Sequence, residues 1–294
     1  MSGRVLLTGG SGFIGRSLSV ALGVSREVLA PSHTELDLTD TEAVEAYLDE
    51  HRVDAIVHTA TKPGHRNAAD PTGLVEVNTR MYLNLVRREE LCPRLILLST
   101  GAAYDPRHYQ PKLREEAFDS WVPVDDASYS KYVIAKLAEP DPRVTELRLF
   151  GVFGPGEDYA IRFISNALCK ALAGLPITLR QDRMFDYLWI EDLAQVVEHF
   201  LKGAGGYPAY NVTPDHAVSL LRVAQLVRDT VNSGLQVRVA AEGLGAEYSG
   251  DNSRLRAEIP TLEFTSIENA VVQLRAWYEA HWDDVDTDAL LADK

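Results

Sequence analysis

Cysteine is nearly missing from this 294-residue chain: there are two, Cys92 and Cys169. They lie far apart in apolar surroundings, which excludes a disulfide framework and any paired-cysteine metal spacing. Buried, reduced thiols are the expectation, and no metal is expected. Long apolar runs are also missing. None approaches the roughly 18 residues that span a bilayer, so no membrane partner is expected. No leader-like segment opens the chain, because Arg4 and Val5-Leu6-Leu7 run straight into glycines. The cytoplasm is the expected location. Positive charge is scarce: 29 Lys and Arg stand against 43 Asp and Glu, a net charge of -14. An acidic surface repels phosphate backbones, so no nucleic acid partner is expected. A small anion can still bind where local cations or helix N-termini outweigh that field.

What is present reads as an ordinary globular protein, 46% hydrophobic and 24% charged, long enough for one large α/β unit or two modest domains. Short apolar runs alternate with helical patterns. Strands are expected at 4–8, 27–30, 53–58, 94–100 and 144–150. Helices are expected at 13–22, from a Thr39 or Asp40 cap to about His51, at 72–90 and at 126–139, the last stopped by Pro140. This alternation predicts an α/β fold: a Rossmann-type doubly wound parallel sheet with its ligand at the strand C-termini. After Phe150 the rhythm loosens. Helices at 160–173, 191–201, 219–231 and 266–282 mix with short strands near 177–179, 187–190 and 210–212. The expected division is a dinucleotide-binding domain over 1–155, rejoined by 185–232, and a small interleaved C-terminal substrate lobe from 156–184 and 233–282. An acidic, frayed tail over 283–294 completes it.

The run Thr8-Gly9-Gly10-Ser11-Gly12-Phe13-Ile14-Gly15 follows a strand and opens a helix. Gly9 permits a tight turn, Gly12 lets the backbone approach a pyrophosphate, and Gly15 lets helix and strand pack closely. The first helical N–H groups, from Phe13 and Ile14 onward, then face the phosphates. The ribose position falls at Ser32 and His33, about 20 residues on. No carboxylate stands there, the first being Glu35, which favours NADP(H) with NAD(H) as the alternative. Arg16 is either a partner for a 2′-phosphate or a solvated helix residue.

These residues resemble the extended short-chain dehydrogenase/reductase family, the NAD-dependent epimerase/dehydratase type that includes UDP-galactose 4-epimerase, GDP-fucose synthase and dTDP-4-dehydrorhamnose reductase. The likeness covers about 280 residues. Asp37-Leu38 resembles the pair that holds the adenine, and Thr59-Ala60-Thr61 the segment lining the cofactor. Asn78 resembles the family's helix asparagine. Ser99-Thr100, with Tyr104, resembles the catalytic Ser/Thr segment. The run from Arg148 through Phe150, Gly151 and Val152 to Pro155 resembles the stretch beside the nicotinamide, and that from Phe185 to Asp192 the return to the sheet. Gly151 and Phe185 depart from the family, where asparagine and arginine are common.

The resemblance implies a tyrosine acid/base four residues before a lysine, on one helix face. The lysine cation lowers the tyrosine pKa and holds the nicotinamide ribose, while Thr100 fixes the substrate oxygen. Two registers compete in Ala127-Ser128-Tyr129-Ser130-Lys131-Tyr132-Val133-Ile134-Ala135-Lys136. One pairs Tyr132 with Lys136. The other makes Lys131 the lysine and places Ala127 where the tyrosine is expected. Helix geometry favours the second, because Lys136 lies too near Pro140 and the words Ser130-Lys131-Tyr132 match the family. In that register the chain lacks its proton donor, through an engineered Tyr-to-Ala change or through natural loss or relocation.

Substrate contacts are expected from Arg107, His108 and Tyr109 and, for an anionic diphosphate, from Arg162, Asn166 and Arg183. His58 and His65 are expected to be structural. The implied function is an NAD(P)-dependent reductase or epimerase of a nucleotide-activated sugar, with reduction favoured. A non-catalytic dinucleotide-binding protein is the rival class. A homodimer through 72–90 and 126–139 is carried over from the resemblance.

Overall fold

A computed structural model describes residues 3–64 and 68–291; His65 lies outside them. In chain order the strands are β1 (Arg4–Thr8), β2 (Glu27–Leu29), β3 (Ala55–His58), β4 (Leu95–Thr100), β5 (Val144–Leu149), β6 (Val152–Phe153), β7 (Ile177–Asp182), β8 (Met184–Phe185), β9 (Leu188–Trp189), β10 (Ala209–Val212), β11 (Val218–Ser219) and β12 (Val237–Leu244). The helices are α1 (Phe13–Gly23), α2 (Thr41–His51), α3 (Leu74–Val86), α4 (Asp126–Ala138), α5 (Phe163–Leu172), α6 (Ile190–Lys202), α7 (Leu220–Val231), α8 (Ser253–Glu258) and α9 (Ile267–Ala280).

Six strands form one sheet in the order β10-β5-β4-β3-β1-β2, and every pairing is parallel. Alternate residues of a strand face opposite sides, and the apolar runs supply both. Val5, Leu7, Val57 and Ile96 pack with Leu18 of α1 and Leu193, Val197 and Phe200 of α6. Leu6, Ile56, Leu95 and Leu97 pack with Val44 of α2, Tyr82 of α3 and Ile134 of α4. This is the doubly wound sheet, with its order reversing between β1 and β3. All strand C-termini open along one edge.

A third core belongs to the lobe. Leu168 and Cys169 of α5, Val223 and Val227 of α7, and Leu274 and Tyr278 of α9 meet there. Both cysteines are free and buried, and burial raises each thiol to about 12. The lobe claims more of the 185–232 segment than its sequence position predicts. Strand β10 and helix α6 join the main sheet, but α7 turns its apolar face to α5 and α9. Conversely, Leu255 and Leu262 return to the core beside α6.

Some element boundaries differ from the sequence pattern for local reasons. Helix α3 starts late because Asp70 accepts hydrogen bonds from the Thr72 backbone and hydroxyl, and Gly73 adopts φ 62°. Asp40, not Thr39, caps α2. Strand β12 carries no alternating apolar signal because most of it is exposed, yet it pairs in parallel with β7. The acidic tail is not frayed through residue 291. A short turn at Asp288–Leu290 buries Leu290 in the lobe core, and the Tyr159 hydroxyl accepts from the Asp286 backbone.

Beneath the end of β5, Arg148 and Glu146 are each 2% exposed. Arg148 donates through Nη2 and Nε to Glu146 Oε2 at 2.7 and 3.0 Å, and through Nη1 to the Tyr104 hydroxyl at 3.0 Å. Tyr104 in turn donates to Asn211 of β10 at 2.8 Å. The network ties β5, β10 and the turn after β4 below the residues that form the site. Removing one buried partner strands the other, at a cost of roughly 3–5 kcal/mol. Arg148→Leu should therefore lower unfolding stability by about that amount in urea titration, and the Glu146→Leu/Arg148→Leu double variant should recover much of it.

Candidate active site

Glycine is required at two points of the turn from β1 into α1. Gly9 sits at φ 74°, and a Cβ there would lie 2.7 Å from both Ala60 N and Thr59 Oγ1. A Cβ on Gly15 would lie 2.1 Å from the Gly9 carbonyl oxygen. Gly12 is the N-cap of α1. No side chain caps this helix and no acidic residue occupies its first turn. Its leading N–H groups and the positive end of its dipole remain available to an anion.

They face a cavity of about 700 Å³ lined by Gly9, Gly12, Phe13, Ile14, Gly15, Asp37, Leu38, Thr59, Ala60 and Thr61. That volume and the glycine cradle fit an extended dinucleotide. Leu36, Leu38 and Met81 supply an apolar slot at one end, as an adenine would need. Ser32 does not line the cavity. Its N–H and hydroxyl both donate to Glu35 Oε2, at 2.7 and 2.8 Å, so the fold brings a carboxylate back beside the position expected at the ribose, next to His33 in the cavity wall. Arg16 donates to the carbonyls of Ser11 and Gly156, which fastens the glycine loop to the loop after β6.

A second cavity, of about 450 Å³, adjoins the first; Phe13, Ile14, Thr59, Thr61 and Arg162 line both. Thr100 at the end of β4, Lys131 of α4, and Phe150 and Val152 after β5 are among its walls. Thr100 Oγ1 accepts from the Ala102 backbone at 3.2 Å and lies 3.5 Å from the Tyr248 hydroxyl. Lys131 Nζ donates to Thr61 Oγ1. Burial pulls the lysine ammonium down to about 8. His58, behind it on β3, bonds Thr8 Oγ1 at 2.8 Å, and burial plus the nearby Lys131 charge hold it near 3, so it stays neutral. Asn78 Oδ1 accepts from Lys62 N at 2.6 Å, and its Nδ2 donates to Ser130 Oγ at 3.1 Å. It braces the Thr61-Lys62 segment against α4 without lining either large cavity.

Lys131, and not Lys136, lines the cavity that holds Thr100. Tyr132 and Lys136 turn the other way: the Tyr132 hydroxyl donates to Asp119 Oδ1, and Lys136 pairs with Asp119 and Glu139. Ala127 lies in the first turn of α4, one turn before Lys131. Gly64 packs on it so closely that a Cβ on Gly64 would lie 3.1 Å from Ala127 Cβ.

The expected substrate residues divide. Arg162 and Arg183 line the second cavity. Asn166 donates to the Tyr159 carbonyl and lines a neighbouring cavity of about 410 Å³. Arg107 is engaged by Asp105, and His108 stacks on Trp121. Tyr109 donates to the Gly101 carbonyl and faces a separate cavity. None of these three reaches Thr100's cavity, because the 3-10 turn Pro106–His108 carries them away. Sequence reasoning missed Glu157 and Tyr248. Glu157 is 4% exposed, accepts from Ser165 Oγ at 2.5 Å, and is raised to about 8 by burial. Tyr248 comes from an aperiodic stretch that offers no signal. Gly15→Ala should push α1 off the end of β1 and weaken NADPH and NADH binding by roughly tenfold or more in a fluorescence titration.

The comparisons with known proteins agree with this geometry. The family model for the NAD dependent epimerase/dehydratase family matches residues 5–213. A GDP-L-fucose synthase from Azorhizobium caulinodans is 39% identical over 107 residues, 34% of each chain. A UDP-glucuronic acid decarboxylase from Xenopus tropicalis is 26% identical over 81% of this chain and 63% of its own. The chain thus spans under two thirds of these two relatives. A dTDP-4-keto-6-deoxy-D-glucose reductase from Streptomyces niveus is 35% identical over 70% of this chain and 72% of its own. Among solved structures, a GDP-L-fucose synthetase from Naegleria fowleri bound to NADP superposes with TM-score 0.81 at 15% identity, over 96% of this chain and 94% of that one. Fold, glycine cradle and sequence match together place this chain in the NAD dependent epimerase/dehydratase family, among the extended short-chain dehydrogenases/reductases.

Proposed function

We propose that the chain is an NAD(P)-dependent oxidoreductase acting on a nucleotide-activated sugar, with reduction of a keto group as the favoured reaction. The observation that carries this reading is the junction of the two cavities at Thr59 and Thr61, with Thr100 and Lys131 beyond it. The glycine cradle, Asp37-Leu38 and Thr59-Ala60-Thr61 would hold the dinucleotide, which when bound supplies or accepts a hydride. Thr100 orients the substrate oxygen through its hydroxyl. Arg162 and Arg183 give a local cationic wall for a diphosphate inside an acidic protein. The 35% identity to a keto-sugar reductase supports reduction over epimerisation.

Ala127 supports a second reading, a non-catalytic dinucleotide-binding protein. The two separate on one assay. The protein is mixed with NADPH or NADH and dTDP-4-keto-6-deoxyglucose, or in a parallel arm with NAD+ and the corresponding 4-hydroxy sugar, and cofactor turnover and sugar products are followed. A reductase consumes cofactor in step with product. A 4-epimerase inverts the hydroxy-sugar with no net change in cofactor. A pure binder shows saturable cofactor uptake with neither.

The NADP(H) preference expected from Ser32 and His33 is opposed by Glu35. A 2′-phosphate at that corner would have to displace the carboxylate from the Ser32 N–H and hydroxyl. NAD(H) enters without that displacement. The homodimer proposal rests on α3 and α4, which pack side by side and leave Leu83, Tyr129 and Leu137 exposed. Among the described residues no helix is long and apolar enough to cross a membrane; a cytoplasmic site of action is part of this proposal. Glu35→Gln should shift the ratio of NADPH to NADH affinity several-fold toward NADPH, measured by parallel titrations at low salt.

A further inference from the structure

The second cavity poses a chemical problem. Reducing a carbonyl needs a proton for the oxygen, and the α4 position one turn before Lys131 holds Ala127. The surrounding structure is closed around that alanine: Gly64 abuts it, and a Cβ on Gly64 would also lie 2.6 Å from Leu74 Cδ1. The other phenols nearby are poorly placed or poorly acidic. Tyr129 is 39% exposed on the outer side of α4. Tyr132 is held by Asp119. Tyr187 lies on the lobe wall, where burial beside Glu157 drives its ionisation far up. Tyr248 reaches Thr100 only at 3.5 Å, does not line the cavity, and is raised to about 12 by burial.

Lys131 differs from all of these. Its ammonium is in the cavity wall, bonded to Thr61, the residue at the junction with the dinucleotide cavity. It forms no ion pair among the described residues, so no carboxylate holds it charged. The titratable groups facing it are neutral His58 from β3 and, across the cavity, Glu157, Tyr187, Arg162 and Arg183.

We propose that Lys131 is itself the proton donor and acceptor of this chain, a part for which no tyrosine is needed. The proposal rests on the oxidoreductase reading above. A dinucleotide held in the first cavity would supply the hydride for the carbonyl carbon, leaving the C=O π pair on oxygen. One N–H of the Lys131 ammonium gives its proton to that oxygen, and the lysine is left as a neutral amine that regains a proton from solvent. In the opposite direction the neutral amine takes the hydroxyl proton, and the bound dinucleotide would accept the hydride. A lysine pulled down to about 8 is matched to both roles near neutral pH. The sign follows: kcat for reduction falls as pH rises through the lysine pKa, because the neutral amine has no proton of sufficient acidity to give.

Two measurements on the full chain test this. The first needs no turnover: 13Cε resonances of lysine-labelled protein are titrated with pH, and Lys131→Arg identifies the Lys131 signal. Titration near 8 is expected; titration with the surface lysines overturns the proposal. The second is the pH profile of kcat at saturating NADPH with dTDP-4-keto-6-deoxyglucose. The alkaline limb should coincide with the lysine titration and persist in Glu157→Gln and Tyr248→Phe. Lys131→Met should lose about 10²–10⁴ in kcat at saturating cofactor while still binding NADPH. Wild-type kcat in Lys131→Met, a limb that vanishes in Glu157→Gln or Tyr248→Phe, or a gain of that same size in Ala127→Tyr overturns it and leaves the oxidoreductase reading standing. If the wild type takes up neither NADPH nor NADH, the oxidoreductase reading itself fails and takes this proposal with it.

Discussion

The approach of α1 to the end of β1 governs the rest of the molecule. Gly15 comes against the Gly9 carbonyl with no room for a side chain, and Gly9 reaches Ala60 and Thr59 across the β1–β3 boundary. These contacts aim the uncapped start of α1 along the C-terminal edge of the sheet. They also set the wall between the two cavities, because Phe13 and Ile14 in the same turn line both. A helix start displaced by one side chain would misplace the phosphate donors and that wall together.

Electrostatics inside the site run against the protein's overall charge. The surface is strongly acidic, yet the second cavity is edged by Arg162, Arg183 and Lys131. Burial then moves three groups around it toward their neutral forms: Lys131 down, His58 down, Glu157 up. Two of these come to about 8, which places a cavity of mixed protonation close to working pH. Ile161, Phe163 and Ile164 of the lobe line the second cavity together with the sheet residues Leu98, Thr100 and Leu149.

That shared lining depends on interleaving. The chain leaves the sheet after β5, builds α5 and β7, returns through α6 and β10, leaves again through α7 and β12, and comes back at α8. Asp186 illustrates the stitching. Fully buried between the two units, it accepts from Thr213 after β10 and from Gly250 before α8. Cavities between parts joined so often are held in shape by the core and do not rely on a single linker.

Much of this was legible in the residues. The strand–glycine loop–helix run and the two-sided apolar strands are local signals, written within a few residues of one another, and local physics sufficed for them. The same holds for Lys131 beside Ala127, since helix spacing alone sets which residues share a face. Other features needed the tertiary structure, because they join positions far apart in the chain. Glu35 returns to Ser32 through a turn whose direction no pattern reports. Arg107, His108 and Tyr109 follow Thr100 closely, yet a single turn carries them out of its cavity. Tyr248 meets Thr100 across 148 residues, and Glu157 is buried only because α5 folds over it. Sequence determined the fold and the identity of the polar groups; three-dimensional packing decided which of them share one desolvated space, and so which can exchange a proton.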